Sequence, residues 1–210
     1  MEIVARGAEA VLKKDELDGE TVLIKERIKK GYRIEQLDKQ LRMERTVHES
    51  KLLGEARRAG VDTPKLLAID EKGCKITMEW IEGQRLKEML NSETNNEKIG
   101  NIAELVGNSV GRLHAAGITH GDLTTSNMII SNGKIYFIDF GLGFFSSKAE
   151  DHGTDLAVFK EAVKATHFKH LNLVWDRFIK GYKQTNAQAD AVLKALADIE
   201  KRGRYITRVD

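Results

Sequence analysis

The chain has 210 residues, of which 41% are hydrophobic and 31% are charged, and its formal net charge at pH 7 is +2. This length is enough for one domain or for two lobes that share a cleft. The sequence contains no run of about 18 apolar residues, and its start lacks the charged-then-apolar pattern of a signal peptide. We therefore expect a soluble, cytoplasmic protein without a membrane partner.

Cysteine and histidine usage argues against two further classes of protein. Cys74 is the only cysteine, which excludes an intrachain disulfide and a cysteine-based zinc site. It stands in an apolar strand pattern, where a packing role is expected. His48-Glu49 is not followed by the second histidine of a zinc-protease helix, so a zinc enzyme is disfavoured.

The first 80 residues alternate short strand patterns with one long helical pattern. The Asp18-Gly19 turn separates predicted strands at 10–12 and 21–25, and apolar residues at helical spacing predict a helix over 34–59. Gly60 ends this helix. Further strands are predicted over 65–70 and 74–79.

Beyond Glu82-Gly83 the pattern becomes helical. Helices are predicted over 99–116, 155–171, 174–183 and 187–202, and residues 91–96 are expected to form a surface loop. Strands precede helices without alternating with them, which argues against a parallel doubly wound sheet. The expected fold is α+β with two kinase-like lobes, a small antiparallel sheet with one long helix over 1–82 and a mostly helical lobe over 83–210.

The segment from His120 to Gly141 carries the strongest chemical signal. It reads HGDLTTSN, then MII, a Ser131-Asn132-Gly133 turn, IYFI and finally DFG. The two apolar runs and the Asn-Gly turn predict a hairpin. Such a hairpin brings the segments that precede and follow it to the same end. Asp-x-x-x-x-Asn followed by Asp-Phe-Gly, in this order and at this spacing, matches the catalytic-loop and metal-loop signatures of kinases.

Phosphoryl transfer explains why these residue types occur together. Catalysis depends mainly on positioning and on neutralisation of the ATP phosphates by divalent metal ions. Magnesium prefers oxygen ligands, so Asn127 and Asp139 are the candidate metal ligands. Asp122 lies five residues before Asn127 and is the candidate base that orients a hydroxyl group or a water molecule.

The first half of the chain should supply a phosphate-anchoring lysine. Apolar residues lead to Lys25 at the end of a strand pattern, which favours Lys25 for this role, although a charged strand end would look similar. Its partner should be a glutamate on the long helix. Glu49, close to Leu52 and Leu53, is preferred; Glu44 or an ordinary surface ion pair are the alternatives.

Two other segments are expected to contact the nucleotide. Gly7 and Ala8 occupy the place of a glycine-rich loop, but with a single glycine the backbone wraps phosphates less closely. The segment after the strand over 74–79 would link the lobes. Backbone groups of Glu79 and Ile81 are candidates for adenine binding, with Met78 behind them, although a plain buried strand would give the same pattern.

Charge is unevenly distributed. Residues 25–58 contain eleven basic and six acidic side chains, a balance of +5, and the C-terminal segment adds Lys201, Arg202, Arg204 and Arg208. Such a cluster is usually a solvated helix face, but it could also contact RNA phosphates.

With these residues in hand, the chain resembles over essentially its whole length the small atypical kinases of the KEOPS complex, called PRPK in animals and related to the Rio kinases. An archaeal-type stand-alone form is expected. The features that carry the resemblance are Gly7-Ala8-Glu9-Ala10, Lys25 followed by Arg27 and Lys30, Arg45-Thr46 with Glu49, the HGDLTTSN run, Asp139-Phe140-Gly141 and Arg202-Gly203-Arg204.

The resemblance implies an ATP- and magnesium-dependent serine/threonine kinase or ATPase that supports threonylcarbamoylation of tRNA. It implies as partners a TsaD-like transferase subunit and other KEOPS subunits, with tRNA bound directly or through the complex. The family's Lys and Glu pair would fall on Lys25 and Glu49, its catalytic aspartate on Asp122 and its metal ligands on Asn127 and Asp139.

Several protein-kinase features are missing. Thirteen residues separate Gly141 from Asp155 and no Ala-Pro-Glu follows, so no platform for a peptide substrate is expected. Gly121 stands where protein kinases carry the arginine that pairs a phosphorylated activation loop, and Thr124 replaces a frequent lysine. We therefore expect phosphoryl transfer to water or to a serine of the protein itself. A small-molecule kinase of the aminoglycoside or choline type and a pseudokinase scaffold are the alternatives.

Overall fold

The computed structural model describes residues 1–206, and for residues 203–206 the backbone alone. Arg208 and the side chain of Arg204, both part of the basic C-terminal segment noted in the sequence, lie outside this description.

The first part of the chain forms an antiparallel sheet with one long helix. The strands lie in the order β1-β2-β3-β5-β4, with the bounds β1 Glu2–Arg6, β2 Ala10–Leu17, β3 Glu20–Arg27, β4 Leu66–Asp70 and β5 Lys75–Glu79. Asp18 and Gly19 join β2 to β3 with φ values of 53° and 82°, as a two-residue hairpin turn requires. Helix α1, Glu35–Arg58, connects β3 to β4 and contacts β4 and β5.

The buried side of α1 is only partly apolar. Leu52, Leu53 and Ala56 pack into the core, but Glu49 and Asp38 are also buried on this helix. Buried carboxylates need partners. The helix therefore brings charged groups, as well as apolar ones, against the sheet.

The second part of the chain is mostly helical. Its helices are α2 Leu86–Ser92, α3 Asn96–Ala115, α4 Ala149–Thr166, α5 Leu171–Thr185 and α6 Ala189–Ile206. Short strands lie on the side facing the first sheet: β6 Gln84–Arg85, β8 Met128–Ser131 and β9 Lys134–Phe137 form one sheet, and β7 Ile118–Thr119 pairs with β10 Phe144–Phe145. Helices α3 and α5 cross closely at Gly107, which has no Cβ atom. A Cβ there would lie 2.0 Å from the carbonyl oxygen of Phe178, so a larger residue would not fit.

The α+β architecture and the long helix predicted from the sequence are confirmed, whereas several boundaries were wrong. Helix α4 begins at Ala149, not at 155, and ends at Thr166, where His167 leaves helical geometry. The first turn of α4 carries Glu150 and Asp151, which favour a helix N-terminus through the dipole but carry no apolar periodicity. Helix α2 was not predicted, because its seven residues are too few to show a helical period, and strand β1 was not predicted either.

Cys74 was also misplaced by one residue. It is buried and has φ 56°, so it belongs to the turn that precedes β5 and not to the strand itself. Within residues 1–206, no helix combines the length and the apolar character needed to cross a membrane.

Candidate active site

A loop after β7 presents the catalytic-loop residues. His120 is fully buried, Gly121 turns the chain with φ 79°, and one turn of 3-10 helix over Thr125–Asn127 leads into β8. The β8–β9 hairpin, with Asn132 and Gly133 at its turn, then returns the chain to the same end. Since the backbone N–H of Ile138 donates to the carbonyl of Asn127 at 3.0 Å, the flanks of the hairpin lie side by side.

Asp122 and Asn127 are held together by two hydrogen bonds. The amide nitrogen Nδ2 of Asn127 donates to the backbone carbonyl of Asp122 at 3.0 Å and to its carboxylate oxygen Oδ2 at 2.8 Å. These bonds fix the orientation of the carboxylate. They also turn the amide so that Oδ1 of Asn127 is the atom left to act as a ligand, because the nitrogen is used.

Asp139 lies at the other flank in an uncommon backbone conformation, with φ 63°. Its Oδ1 accepts from Nζ of Lys25 at 2.7 Å and from the N–H of Gly141 at 3.2 Å, while about half of its side chain is exposed. Burial would raise the pKa of Asp139, but the charge and hydrogen bond of Lys25 hold it below its usual value. The carboxylate is therefore ionised at neutral pH.

Lys25 is paired with the preferred glutamate. Its Nζ donates to Oε1 of Glu49 at 2.6 Å, and both side chains are buried. Glu44, the alternative, is exposed and instead accepts from the amide of Gln40 at 2.8 Å. Sequence reasoning missed that Glu49 has a second cation: Nη2 of Arg27 donates to its other oxygen at 2.5 Å.

These groups meet in a cleft of about 490 Å³ between the first sheet and the hairpin. Its lining includes Gly7 and Ala8 from the loop between β1 and β2, together with Lys25, Asp122 and Asp139. The roles assigned to these residues stay predictions. Their proximity does not follow from any one motif, because the loop, β3 and the hairpin are far apart in the sequence.

The residues predicted to bind adenine do not line this cleft. Met78 is buried in the core, and the backbone N–H of Glu79 is occupied, since it donates to the carbonyl of Lys65 at 2.9 Å. The backbone N–H of Ile81 makes no hydrogen bond with any part of the chain that the structure describes. Of the predicted donors in this segment, only Ile81 therefore has a free N–H.

The donor set suits a magnesium ion. Asp139 and Asn127 offer a carboxylate and an amide oxygen, and magnesium takes one or two such oxygens from a protein while keeping several waters. Among residues 1–206 there is no cluster of three or more His, Cys, Asp or Glu side chains that could hold a metal. With two oxygens from the protein, a site of this kind suits a metal that takes further ligands from a bound phosphate.

A buried carboxylate on α4 supports the catalytic loop from behind. Asp155 accepts the backbone N–H of His120 at 2.7 Å and that of Gly121 at 2.9 Å, and Nε2 of His114 lies 3.2 Å from it. Sequence reasoning missed this residue as part of the site. A signal existed, because Asp155 falls on the apolar stripe of α4 with Leu156, where an aspartate needs partners.

Comparison with known proteins is consistent with this geometry. A RIO domain family model matches residues 20–151. The chain is 44% identical over 189 residues to the KEOPS complex subunit Bud32 of Pyrococcus abyssi, covering 89% of this chain and 86% of that protein. It is 43% identical over 190 residues to a probable serine/threonine-protein kinase BUD32 homolog of Archaeoglobus fulgidus, covering 90% and 91%.

Two further comparisons add to this. A probable bifunctional tRNA threonylcarbamoyladenosine biosynthesis protein of Methanosarcina acetivorans is 44% identical over 200 residues; the match covers 95% of this chain but only 35% of that protein. The solved structure of WaaP in complex with acyl carrier protein superposes with a TM-score of 0.65 at 14% identity, covering 95% of this chain and 88% of that one, which supports the fold.

The Bud32 matches over nearly full length and the RIO domain match both agree with the resemblance noted in the sequence, and the predicted atypical kinase is confirmed at the level of family. The chain belongs to the RIO domain family of atypical kinases, among the homologues of the KEOPS complex subunit Bud32.

Proposed function

We propose that this protein binds ATP and magnesium between two lobes, residues 1–82 and 83–210, and transfers the γ-phosphoryl group to water or to one of its own serines. In the cell it would do so in the cytoplasm as the ATP-using subunit of a KEOPS complex. The observation that carries the proposal is that Lys25, Asp122 and Asp139 line one cleft, with Asn127 bonded to Asp122.

The charges in the cleft fit distinct parts of phosphoryl transfer. Lys25 binds phosphate oxygens, and Glu49 keeps its ammonium group in place. The carboxylate of Asp122, oriented by Asn127, accepts a hydrogen bond from the attacking water or hydroxyl and takes its proton as the new P–O bond forms. At the same time the bond from the γ-phosphorus to its bridging oxygen breaks, and ADP leaves with that oxygen and the electron pair. Asn127 and Asp139 would hold magnesium, which would supply positive charge to neutralise the phosphate oxygens.

The nucleotide base is proposed to bind beyond the cleft, against the segment after β5. The free N–H of Ile81 supplies a donor to the adenine ring, and the carbonyl of Glu79 supplies the matching acceptor. Met78 packs behind them. Gly7 and Ala8 cover the phosphate end, where they line the cleft.

The acceptor is proposed to be water or the protein itself because little chain is available to dock a peptide. Only residues 142–148 separate the Asp139-Phe140-Gly141 segment from α4, and two of them form β10 against β7. Protein kinases use a longer segment here to align a peptide substrate. Turnover of ATP then serves the assembly rather than a series of phosphoprotein products.

The relatives guide the choice of partners. One is named as a KEOPS subunit, and the Methanosarcina acetivorans relative is a bifunctional tRNA threonylcarbamoyladenosine biosynthesis protein of which this chain matches about a third. That relative joins a segment similar to this chain to a longer remainder in one polypeptide. This arrangement supports a close working contact between the two segments. We propose a TsaD-like transferase subunit, further KEOPS subunits and tRNA, bound directly or through the complex, as the partners.

The proposal is tested by measuring magnesium-dependent ATP hydrolysis with and without the transferase subunit and tRNA. We expect turnover to rise when both are added, and Asp122→Asn to lower it by about 100-fold or more while nucleotide and partner binding persist. If Asp122→Asn hydrolysed ATP as fast as the parent protein, a scaffold without catalysis by Asp122 would be favoured. Turnover that responds only to an added alcohol, such as choline or an aminoglycoside, would favour a small-molecule kinase.

A further inference from the structure

The loop that covers the phosphate end of the cleft, residues 7–10, is held in place by residues that follow β3 and by side chains of β3 and α1. Residues 7–10 form a tight turn in which the N–H of Gly7 donates to the carbonyl of Ala10 at 2.9 Å, and the N–H of Ile28 donates to the carbonyl of Glu9 at 3.1 Å. Nζ of Lys30 also donates to the carbonyl of Ala8. The backbone of the loop is thus held by hydrogen bonds from Ile28 and Lys30, which follow β3.

The side chain of Glu9 adds a link to helix α1. Nη1 of Arg45 donates to its carboxylate at 2.5 Å, while guanidinium nitrogens of Arg27 and Arg33 lie 3.7 and 4.0 Å from it. Hydrogen bonding to Arg45 holds the pKa of Glu9 below its usual value even though burial acts in the other direction. Three arginines therefore surround one half-exposed carboxylate on the loop.

Arg27 connects this carboxylate to the centre of the cleft. Its side chain is only 4% exposed and lies between Glu9 and Glu49, and its Nε is buried without a hydrogen-bond partner among the described residues. Glu49 in turn holds Lys25. Charges of opposite sign thus alternate from the loop to the phosphate-anchoring lysine: Glu9, Arg27, Glu49 and Lys25.

A glycine-rich loop holds phosphates with closely spaced backbone N–H groups, and this loop has one glycine. Fastening the loop is a different way to keep its backbone over the phosphates, because a fixed loop loses less conformational freedom when nucleotide binds. The links to Arg45 and Arg27 also make the position of the loop depend on the position of α1.

We infer that Glu9 is a positioning residue that fastens the phosphate-covering loop to α1 through Arg45, and thereby sets affinity for the phosphate part of the nucleotide. The inference rests on the proposed binding of ATP. It assigns no chemical step to Glu9, since its carboxylate faces arginines of α1 and β3.

The test compares nucleotide affinity, without turnover, for the full-length protein and its Glu9→Gln, Arg45→Gln and double variants. Calorimetry with a non-hydrolysable ATP analogue and magnesium should show about fivefold weaker binding for each single variant, the size expected for one partly exposed ion pair. Because both substitutions break the same link, the double variant should bind no more weakly than either single one. Glu44→Gln, which changes the neighbour of Arg45 on the exposed side of α1, is the matched control and should leave affinity unchanged.

Adenosine provides the second readout, because it has no phosphates. We expect its affinity to be the same for the parent and for Glu9→Gln, whereas a general loss of structure would weaken both ligands. Should Glu9→Gln fail to fold, Arg45→Lys keeps the charge but removes the guanidinium nitrogen Nη1 that donates to both carboxylate oxygens of Glu9, and the same fall in affinity is expected. Unchanged affinity for the analogue in these variants, effects that multiply in the double variant, or equal losses for adenosine would overturn the inference. A parent protein that binds no nucleotide would overturn the proposed function as well.

Discussion

The carboxylate of Asp155 accepts the backbone N–H groups of both His120 and Gly121, at 2.7 and 2.9 Å. His120 and Gly121 lie 35 and 34 positions before Asp155 in the sequence. A side chain of helix α4 therefore fixes the backbone of the loop that presents Asp122. His114 contributes a third contact from α3 at 3.2 Å. The catalytic loop is therefore held in shape by the helical part of the molecule before any ligand binds.

Asp155→Asn should weaken this support. The substituted amide must point its NH₂ group at the backbone N–H of either His120 or Gly121, which leaves buried donors without an acceptor, and we expect a loss of about 2 kcal/mol in the free energy of unfolding. ATP turnover should fall as well, because the loop that carries Asp122 loses its anchor. Urea denaturation and a turnover assay measure both quantities. Glu161→Gln, on the exposed side of the same helix, is the control; equal stability of the two variants would contradict this role.

Glu49→Gln should be costly for a different reason. The glutamate is 1% exposed and neutralises two buried cations, Lys25 and Arg27, which an amide cannot do. Removing one partner from a buried ion pair leaves an uncompensated charge, so we expect the free energy of unfolding to drop by about 3 kcal/mol, with weaker nucleotide binding. The exposed Glu44→Gln should change stability by less than about 0.5 kcal/mol. Similar losses in both variants would show that Glu49 is not the essential partner.

Gly121→Ala tests the close approach of two loops. Gly121 has φ 79°, and a Cβ atom there would lie 2.1 Å from the carbonyl oxygen of Leu142. Backbone strain alone costs about 1–2 kcal/mol, and the contact adds to it. Gly133→Ala is the matched control, because Gly133 has φ 75° with open space around it. We expect Gly121→Ala to lower the thermal midpoint more than Gly133→Ala does, and equal shifts would mean that the loops separate easily.

Stability should decrease on mild acidification because of buried histidines. Burial, with the neighbouring His114, lowers the pKa of His152 from 6.5 to about 4, and burial also lowers the pKa values of His120 and His167. The unfolded chain then binds more protons than the folded one below pH 6.5, so stability falls between pH 6.5 and about 4. For His152 alone the full loss is about 3 kcal/mol.

His152→Gln checks the assignment, since the amide of glutamine can still donate to the carbonyl of Ser146, as Nε2 of the histidine does at 3.0 Å. Urea midpoints measured between pH 7 and 4 should fall less steeply for this variant than for the parent. His48→Gln serves as the control, because the side chain of His48 is exposed on α1. Identical slopes in the parent and in His152→Gln would contradict the assignment.

Much of the fold could be predicted because its signals are local. The Asp18-Gly19 and Asn132-Gly133 turns require φ values that few residues adopt, and both turns occur where the sequence places them. The preference for Glu49 over Glu44 followed from its position next to Leu52 and Leu53, on the side of α1 that packs inward. Such features depend on neighbours within one turn or one hairpin, which a sequence reveals directly.

Features that depend on distant neighbours were not predictable. Glu9 and Arg45 are 36 residues apart, and nothing in either local pattern indicates that the loop after β1 folds toward α1. Some members of the basic run over 25–58 form ion pairs within the protein, since Arg42 pairs with Asp38 and Arg45 with Glu9. Asp155 was likewise hidden, because a polar residue on an apolar stripe indicates a buried partner without identifying it.

The contact between Gly121 and Leu142 also limits how this protein can evolve. An arginine at position 121 would need both a different backbone angle and a different path for the chain after Asp139, because the carbonyl of Leu142 occupies the space. No single substitution can therefore install the arginine that couples a phosphorylated loop to the catalytic aspartate in protein kinases. Two loops would have to be rebuilt together, so a substitution at position 121 alone cannot convert this short candidate active site into the longer protein-kinase form.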